Sequence, residues 1–286
     1  MNQTLGTIGG LARVATLCLL TAAPVAWAQQ PGPGTATPGA ERPKAKAKPK
    51  ADATQADPPK PKARRDRPGF YMGRRIADVM SWQGAEWLYR ETRIEEEQPE
   101  AMLDALEIVP GSTVADVGTG AGYHSIRLAR RVGDGGAVLA TDVQPEMLEL
   151  LRENARTAGI ENIRPLLATQ RDTKLPAGKV DLILMVDVYH EVSSPEVLLA
   201  GLHKALRPGG RLVLVEFRGE DPEVPIKPEH KMTLKQVRRE VEPQGFRFQR
   251  SLEFLPWQHV IIFEKPKPDE KAEAPAETLK PEPAKP

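Results

Sequence analysis

The sequence predicts an α/β domain: a doubly wound, mostly parallel sheet of seven strands that ends in an antiparallel hairpin. Three observations predict it. Short aliphatic runs alternate with segments of helical periodicity from Thr113 onward, the pattern of a sheet covered by helices. The run VDLILMV, opening at Val180, is apolar with one exception, as a strand buried on both faces requires. FRFQRSLEFL and HVIIFEK are split only by Pro256-Trp257-Gln258, a hairpin signal.

The elements follow in order. Arg13, the apolar run VATLCLLTAAPVA and the exit Ala26-Trp27-Ala28 describe a cleavable secretory signal over residues 1–28. The expectation is export across the inner membrane to the periplasm; an uncleaved membrane anchor is the alternative, although the apolar run is short for a span. Cys18 is the one cysteine, so the exported chain would be held by its core and not by disulfides. Residues 29–68 are Pro, Lys, Ala and Gly with almost nothing to bury, and read as a disordered linker. Its lysines leave two readings open, a plain tether or contact with an anionic envelope or membrane surface. Residues 265–286 read as a second disordered tail, which leaves 69–264 as one domain. A net charge of +1 gives no argument for nucleic acid, and no such partner is expected.

Inside the domain, residues 74–90 place Ile76, Val79, Met80, Trp87 and Leu88 at helical spacing, and a second helix is expected near Pro99–Glu107. Pro110-Gly111 turns the chain into a strand at Thr113–Val117. A glycine turn opens the helix YHSIRLARRV, closed by Gly133, and AVLATDV is the second strand. Pro145 suits the first turn of the next helix and Gly159 stops it. NIRPLLAT is a weaker strand with Pro165 inside it. Ser194-Pro195 opens a helix that ends at Arg207-Pro208-Gly209-Gly210, before the strand RLVLVEF. Thr233 and Gln236 have capping-box spacing ahead of a helix reaching about Val241.

Function is concentrated in VADVGTGAGY, where Gly118, Gly120 and Gly122 follow a strand and precede a helix. Without Cβ atoms the backbone can bend sharply and approach a ligand. A dinucleotide site would space its glycines G-x-G-x-x-G, so the third glycine comes one residue early for a nicotinamide-dependent oxidoreductase. Asp116, just before the turn, would repel a pyrophosphate and suits an ammonium or sulfonium charge. Asp142 ends the next strand about 20 residues on, where a carboxylate can accept both hydroxyls of a ribose.

This combination resembles the class I S-adenosylmethionine-dependent methyltransferases, over roughly residues 100–264. ATDVQPEML resembles their acidic ribose motif, VDLILMVDVYHEV their fourth-strand motif and LRPGGRLVLVEF their fifth. The resemblance implies a Rossmann-like fold, S-adenosylmethionine as cofactor, and lid helices within residues 69–98 ahead of a core at 99–264. It further implies that Asp116, Gly118, Gly120 and Gly122 line the methionine end and that Asp142 takes the ribose. Val143 and Gln144 would flank the adenine, with Asp172 at its amino group and Asp187 at the cofactor.

Methyl transfer mainly needs a nucleophile held in line with the sulfur, and a general base for an oxygen or nitrogen acceptor. Tyr189, His190 and Glu191 stand after the fourth strand and are the catalytic candidates. Four of the five histidines, His124, His190, His230 and His259, fall at the carboxyl edge of the strands; His203 lies within a helix. Trp87, Arg90, Lys227, His230, Trp257 and His259 are the candidates for contact with a small or medium-sized acceptor. The histidines with Glu191 could instead ligate a metal, but no H-x-x-x-H or C-x-x-C spacing supports them, so no metal is expected. The rival to an enzyme is a binding module that holds a nucleoside-like ligand on the same fold without turnover.

Overall fold

The computed structural model describes residues 67–268. The expected signal peptide, the expected linker up to Asp66 and the expected tail from Asp269 lie outside the described residues.

A two-strand turn, β1 (Phe70–Tyr71) and β2 (Arg74–Arg75), comes first and is followed by a 3-10 helix at Trp82–Tyr89. The helix expected over 74–90 is therefore confined to its second half. Met72 and Gly73 take left-handed φ values of 45° and 91°, which close the β1–β2 turn, and the Arg74 side chain is committed to the buried carboxylate of Glu240. Two short helices, α1 (Arg93–Glu97) and α2 (Pro99–Asp104), lead to the sheet.

The sheet strands are β3 (Thr113–Val117), β4 (Ala137–Asp142), β5 (Ile163–Leu167), β6 (Val180–Val186), β7 (Leu206–Arg218), β8 (Lys231–Met232), β9 (Arg247–Leu252) and β10 (Gln258–Glu264). The helices between them are α3 (Tyr123–Val132), α4 (Pro145–Thr157), α5 (Pro195–Ala205) and α6 (Leu234–Val241). The order across the sheet is β5-β4-β3-β6-β7-β10-β9, with β10 antiparallel to both neighbours. Seven strands were expected; β8 makes eight, pairing in parallel with Phe217 and Arg218 at the tip of β7. β7 also starts earlier than expected, at Leu206, and runs through the Pro208-Gly209-Gly210 segment. Pro165 sits on β5, an edge strand, where a missing N–H costs nothing on the open side.

The period-2 alternation of the strands divides the core. Val114, Leu182, Leu184, Val213, Val215, Val260 and Ile262 face one side with α2 and α3. Ala115, Ile183, Met185, Leu212, Leu214, Ile261 and Phe263 face the other with α5 and α6. The carboxyl ends of β3, β4, β6 and β7 thus share one edge, and the loops leaving it build the site.

Candidate active site

A cavity of ≈ 440 Å³ opens at that edge, within the size range of a small-molecule site. Its floor is the glycine turn after β3. Gly118, at φ 74°, would drive an added Cβ to 2.5 Å from Val188 Cγ2, and Gly120, at φ 54°, to 2.8 Å from Leu88 Cδ1. Bare backbone is thus the one lining that fits there. Asp142 is fixed beside it by two backbone donors, Gly120 N–H at 2.9 Å and Gln144 N–H at 2.9 Å. Asp116 is buried and accepts from Ser125 Oγ at 2.7 Å and Thr119 Oγ1 at 3.1 Å. Burial raises both carboxyls, Asp116 to about 6 against the opposing pull of those two hydroxyls.

The segment ahead of the sheet packs over the turn. The Gln144 side chain clamps it at both polar ends, donating to Met80 O at 2.9 Å and accepting from Trp82 N–H at 2.9 Å. Tyr89 Oη donates to Ala121 O at 2.9 Å. At the start of α1, Arg93 is buried; it pairs with Glu97 at 2.8 Å, donates to Leu88 O and reaches His124 Nε2 at 3.3 Å. Burial, then the guanidinium, hold His124 well below the ordinary histidine range, so the ring is neutral. With Nε2 accepting from Arg93, its proton sits on Nδ1.

That Nδ1–H has no partner among the described residues, nor has the buried Tyr123 Oη. Asp187 Oδ1 is likewise unpartnered; its Oδ2 accepts from Gln258 Nε2 at 2.8 Å. Burial, then the nearby Glu97 and Glu216 carboxylates, push Asp187 well above the ordinary range. Buried polar groups without partners are uncommon and point to a missing ligand atom. Two donors and a carboxylate acceptor at one end of a nucleoside-sized cradle suit the carboxylate and ammonium of an amino-acid tail.

The opposite wall holds His190, Glu191 and His230. Glu216, fully buried in β7, accepts from Tyr189 N–H at 2.8 Å and from His190 Nδ1 at 2.6 Å, which leaves the Nε2 lone pair of His190 open toward His230 Nδ1 at 3.0 Å. Arg74 donates to His190 O at 3.0 Å and steadies the turn from behind. Glu191 is raised by burial to about 7, and its carboxylate accepts from Met80 N–H at 3.3 Å.

Twelve expected residues line this cavity: Trp87, Asp116, Gly118, Gly120, Asp142, Val143, Gln144, Asp187, His190, Glu191, Lys227 and His230. Six expected residues are placed elsewhere. Gly122, at φ 91°, packs over Leu151 as the N-cap of α3. Asp172 is exposed and paired with Lys174, while Gln170 and Thr173 take the wall it was expected to supply. Tyr189 points into the core and donates to Glu240 Oε2 at 2.9 Å. Arg90 stacks on Trp87, 3.6 Å above the ring, and pairs with Glu96 and Glu97. His259 is held by Glu253 and Glu220, and Trp257 is outside the lining.

Arg93, Tyr123, Glu216 and Gln258 were missed. The Arg93–Glu97 spacing of i, i+4 and a lone glutamate inside the apolar RLVLVEF run were signals available for two of them.

This architecture has known counterparts. Residues 114–210 match a methyltransferase domain. The match begins at the strand carrying Asp116 and ends before RLVLVEF, so it contains the glycine turn, Asp142 and the His190 turn. The ubiquinone/menaquinone biosynthesis C-methyltransferase UbiE of Enterobacter sp. (strain 638) is 31% identical over 116 residues, which are 40% of this chain and 46% of UbiE. The chain therefore spans less than half the length of that curated relative. An S-adenosylmethionine-dependent methyltransferase from Aquifex aeolicus superposes with a TM-score of 0.62 at 29% identity, over 65% of this chain and 100% of that one. A TehB-like methyltransferase from Corynebacterium glutamicum, 18% identical with a TM-score of 0.50 over 64% of this chain and 97% of that one, shares the fold. Domain and fold together imply S-adenosylmethionine as the cofactor of the methyltransferase domain. The residues present fit it: the glycine cradle excludes Cβ atoms, Asp142 stands at the strand end, and the unpartnered atoms of Tyr123, His124 and Asp187 match the polar groups of a methionine tail.

Proposed function

We propose that this chain transfers a methyl group from S-adenosylmethionine to a small or medium-sized acceptor, and that it does so as an exported or envelope-associated protein. The observation that carries the cofactor reading is the set of buried, unpartnered atoms at one end of the glycine cradle. Asp142 takes the ribose hydroxyls, Asp187 the ammonium, and Tyr123 with His124 the carboxylate. Val143, Gln144 and Gln170 bound the adenine end.

The acceptor occupies the wall formed by His190, Glu191, Lys227 and His230, under the Trp87 edge of the lid. There the protein would orient the acceptor for transfer. S-adenosylmethionine would supply the methyl group and leave with the bonding electron pair on its sulfur, while the acceptor's proton would go toward the His190–Glu191 turn. The domain division also belongs to this reading, with residues 69–98 as the lid and 99–264 as the core. Export is supported by Arg13, the short apolar run and the A-x-A exit.

Calorimetric titration of the purified chain with S-adenosylmethionine, beside NAD, tests the cofactor. Micromolar binding of the first alone is expected, weakened at least tenfold in Asp142→Ala and in Asp187→Asn. A folded sample that binds neither, or that binds NAD equally well, would overturn the reading.

A further inference from the structure

His190, Glu191 and His230 converge although they come from two separate loops. One donor atom from each lies within 4.8 Å of the others, and His190 Nε2 and His230 Nδ1 are 3.0 Å apart with their rings near perpendicular. We propose that these three side chains bind a divalent first-row transition ion, with Glu216 as the carboxylate that orients His190.

Four features support this. First, the donor set is two imidazoles and a carboxylate, which suits zinc, iron, cobalt or nickel and does not suit magnesium or calcium. Second, metal-bound histidines commonly give their other N–H to a carboxylate, which fixes the tautomer. Glu216 does this for His190 at 2.6 Å, from a position with no solvent exposure. A buried glutamate in a central strand is costly to retain, and orienting a ligand gives it a task. Third, the spacing is near what an ion needs: two ligands at zinc–nitrogen distance in a tetrahedral site stand ~3.3 Å apart. Glu191 offers a carboxylate oxygen within 4.8 Å of both histidine nitrogens, and among the described residues its carboxylate accepts one hydrogen bond, from Met80 N–H at 3.3 Å. Fourth, all three residues line the cavity, so the open coordination positions face it. Three protein ligands with an open position is the arrangement of a catalytic site, whereas structural sites are closed by four.

The open position takes an oxygen of the acceptor, a hydroxyl or carboxylate, beside the methyl group. That part rests on the methyltransferase reading; binding of the ion does not. With the ion in place Glu191 is a ligand, and the acceptor's hydroxyl proton is lost to solvent as the ion lowers its pKa.

The test uses the full chain without a histidine tag, stripped with EDTA and titrated with Co²⁺, then with Zn²⁺ as competitor. One equivalent of cobalt with the visible absorption of a four- or five-coordinate ion is expected, displaced by zinc. His230→Ala should weaken binding at least 100-fold and Glu216→Gln about 10–100-fold, while His203→Ala, in α5 and away from the cavity, should leave it unchanged. Circular dichroism and S-adenosylmethionine binding of each variant report folding and the cofactor reading separately. No stoichiometric binding, or a spectrum indifferent to His230→Ala in a folded protein, overturns the proposal and leaves His190 and His230 as a hydrogen-bonded pair.

Discussion

Asp116 shows how one residue trades stability for a ligand. Its carboxyl is buried, and its pKa is raised from 3.8 to about 6. The folded chain therefore holds that proton more tightly than the unfolded chain does. This group's contribution to stability is full below pH ~4 and is lost as pH rises through about 6. At neutral pH an ionised Asp116 costs the empty protein stability, a cost that the sulfonium charge of the proposed cofactor would offset. Asp116→Asn should accordingly raise the thermal midpoint by several degrees at pH 7.5 and lose most of the gain at pH 4, while binding S-adenosylmethionine at least tenfold more weakly. Calorimetric scans at the two pH values, with one cofactor titration, check this. A variant that is destabilised at pH 7.5 would mean that the Ser125 and Thr119 hydroxyls stabilise the ionised carboxylate by more than its burial costs.

What the sequence made legible is local. Gly118, Gly120 and Asp142 lie within one strand–turn–helix unit and the strand end beside it, and spacing alone brings them together. Tyr189 was misjudged because a 3-10 turn at Tyr189–Glu191 sends neighbouring side chains to different environments, Tyr189 to the core and His190 to the cavity. The hairpin repeats the lesson: in LPWQH it is Gln258 that reaches Asp187, while His259, on the other face of β10, goes to Glu253 and Glu220. Glu216 and Arg93 act on His190 and His124, 26 and 31 residues away, and such partnerships exist only once the sheet is built.

At the scale of elements, the segment ahead of the sheet is a strap secured at three points. Arg74 joins it to α6 through Glu240, which has no solvent exposure and also takes the Tyr189 hydroxyl. Gln144 joins it to the start of α4, and Arg93 joins it to the start of α3. Removing one partner from a buried pair leaves an uncompensated charge, costing about 3–5 kcal/mol. Arg74→Ala also removes the donor to His190 O, so the effect should spread to the turn behind the acceptor wall. Hydrogen exchange should accelerate at residues 70–77 and 189–192 and stay slow in β3 and β6. Gln144→Ala, by contrast, releases the segment at Met80 and Trp82 and trims the adenine end of the cavity. It should accelerate exchange at residues 80–90 and weaken cofactor binding several-fold, with the thermal midpoint nearly unchanged. If the two variants gave the same exchange pattern, the strap would be one cooperative unit and not two clasps.

For the whole molecule, the central issue is how a cofactor-binding fold would persist in an oxidising compartment. Small exported domains often rely on disulfides, but this chain has Cys18 alone, inside the expected signal. Its stability has to come from the two apolar layers on either side of the sheet, one with α2 and α3 and the other with α5 and α6. Such a core owes nothing to redox state. Under the proposed export, the chain should show a mass that corresponds to loss of residues 1–28, carry no thiol, and unfold at the same temperature with and without dithiothreitol. A reporter enzyme active only outside the cytoplasm, fused behind residues 1–28, should be active. Recovery of the chain with its thiol intact and bound to membranes would instead make those residues an anchor. The Lys/Arg-rich stretch that follows would then favour placing the domain on the cytoplasmic side, where the cofactor is made.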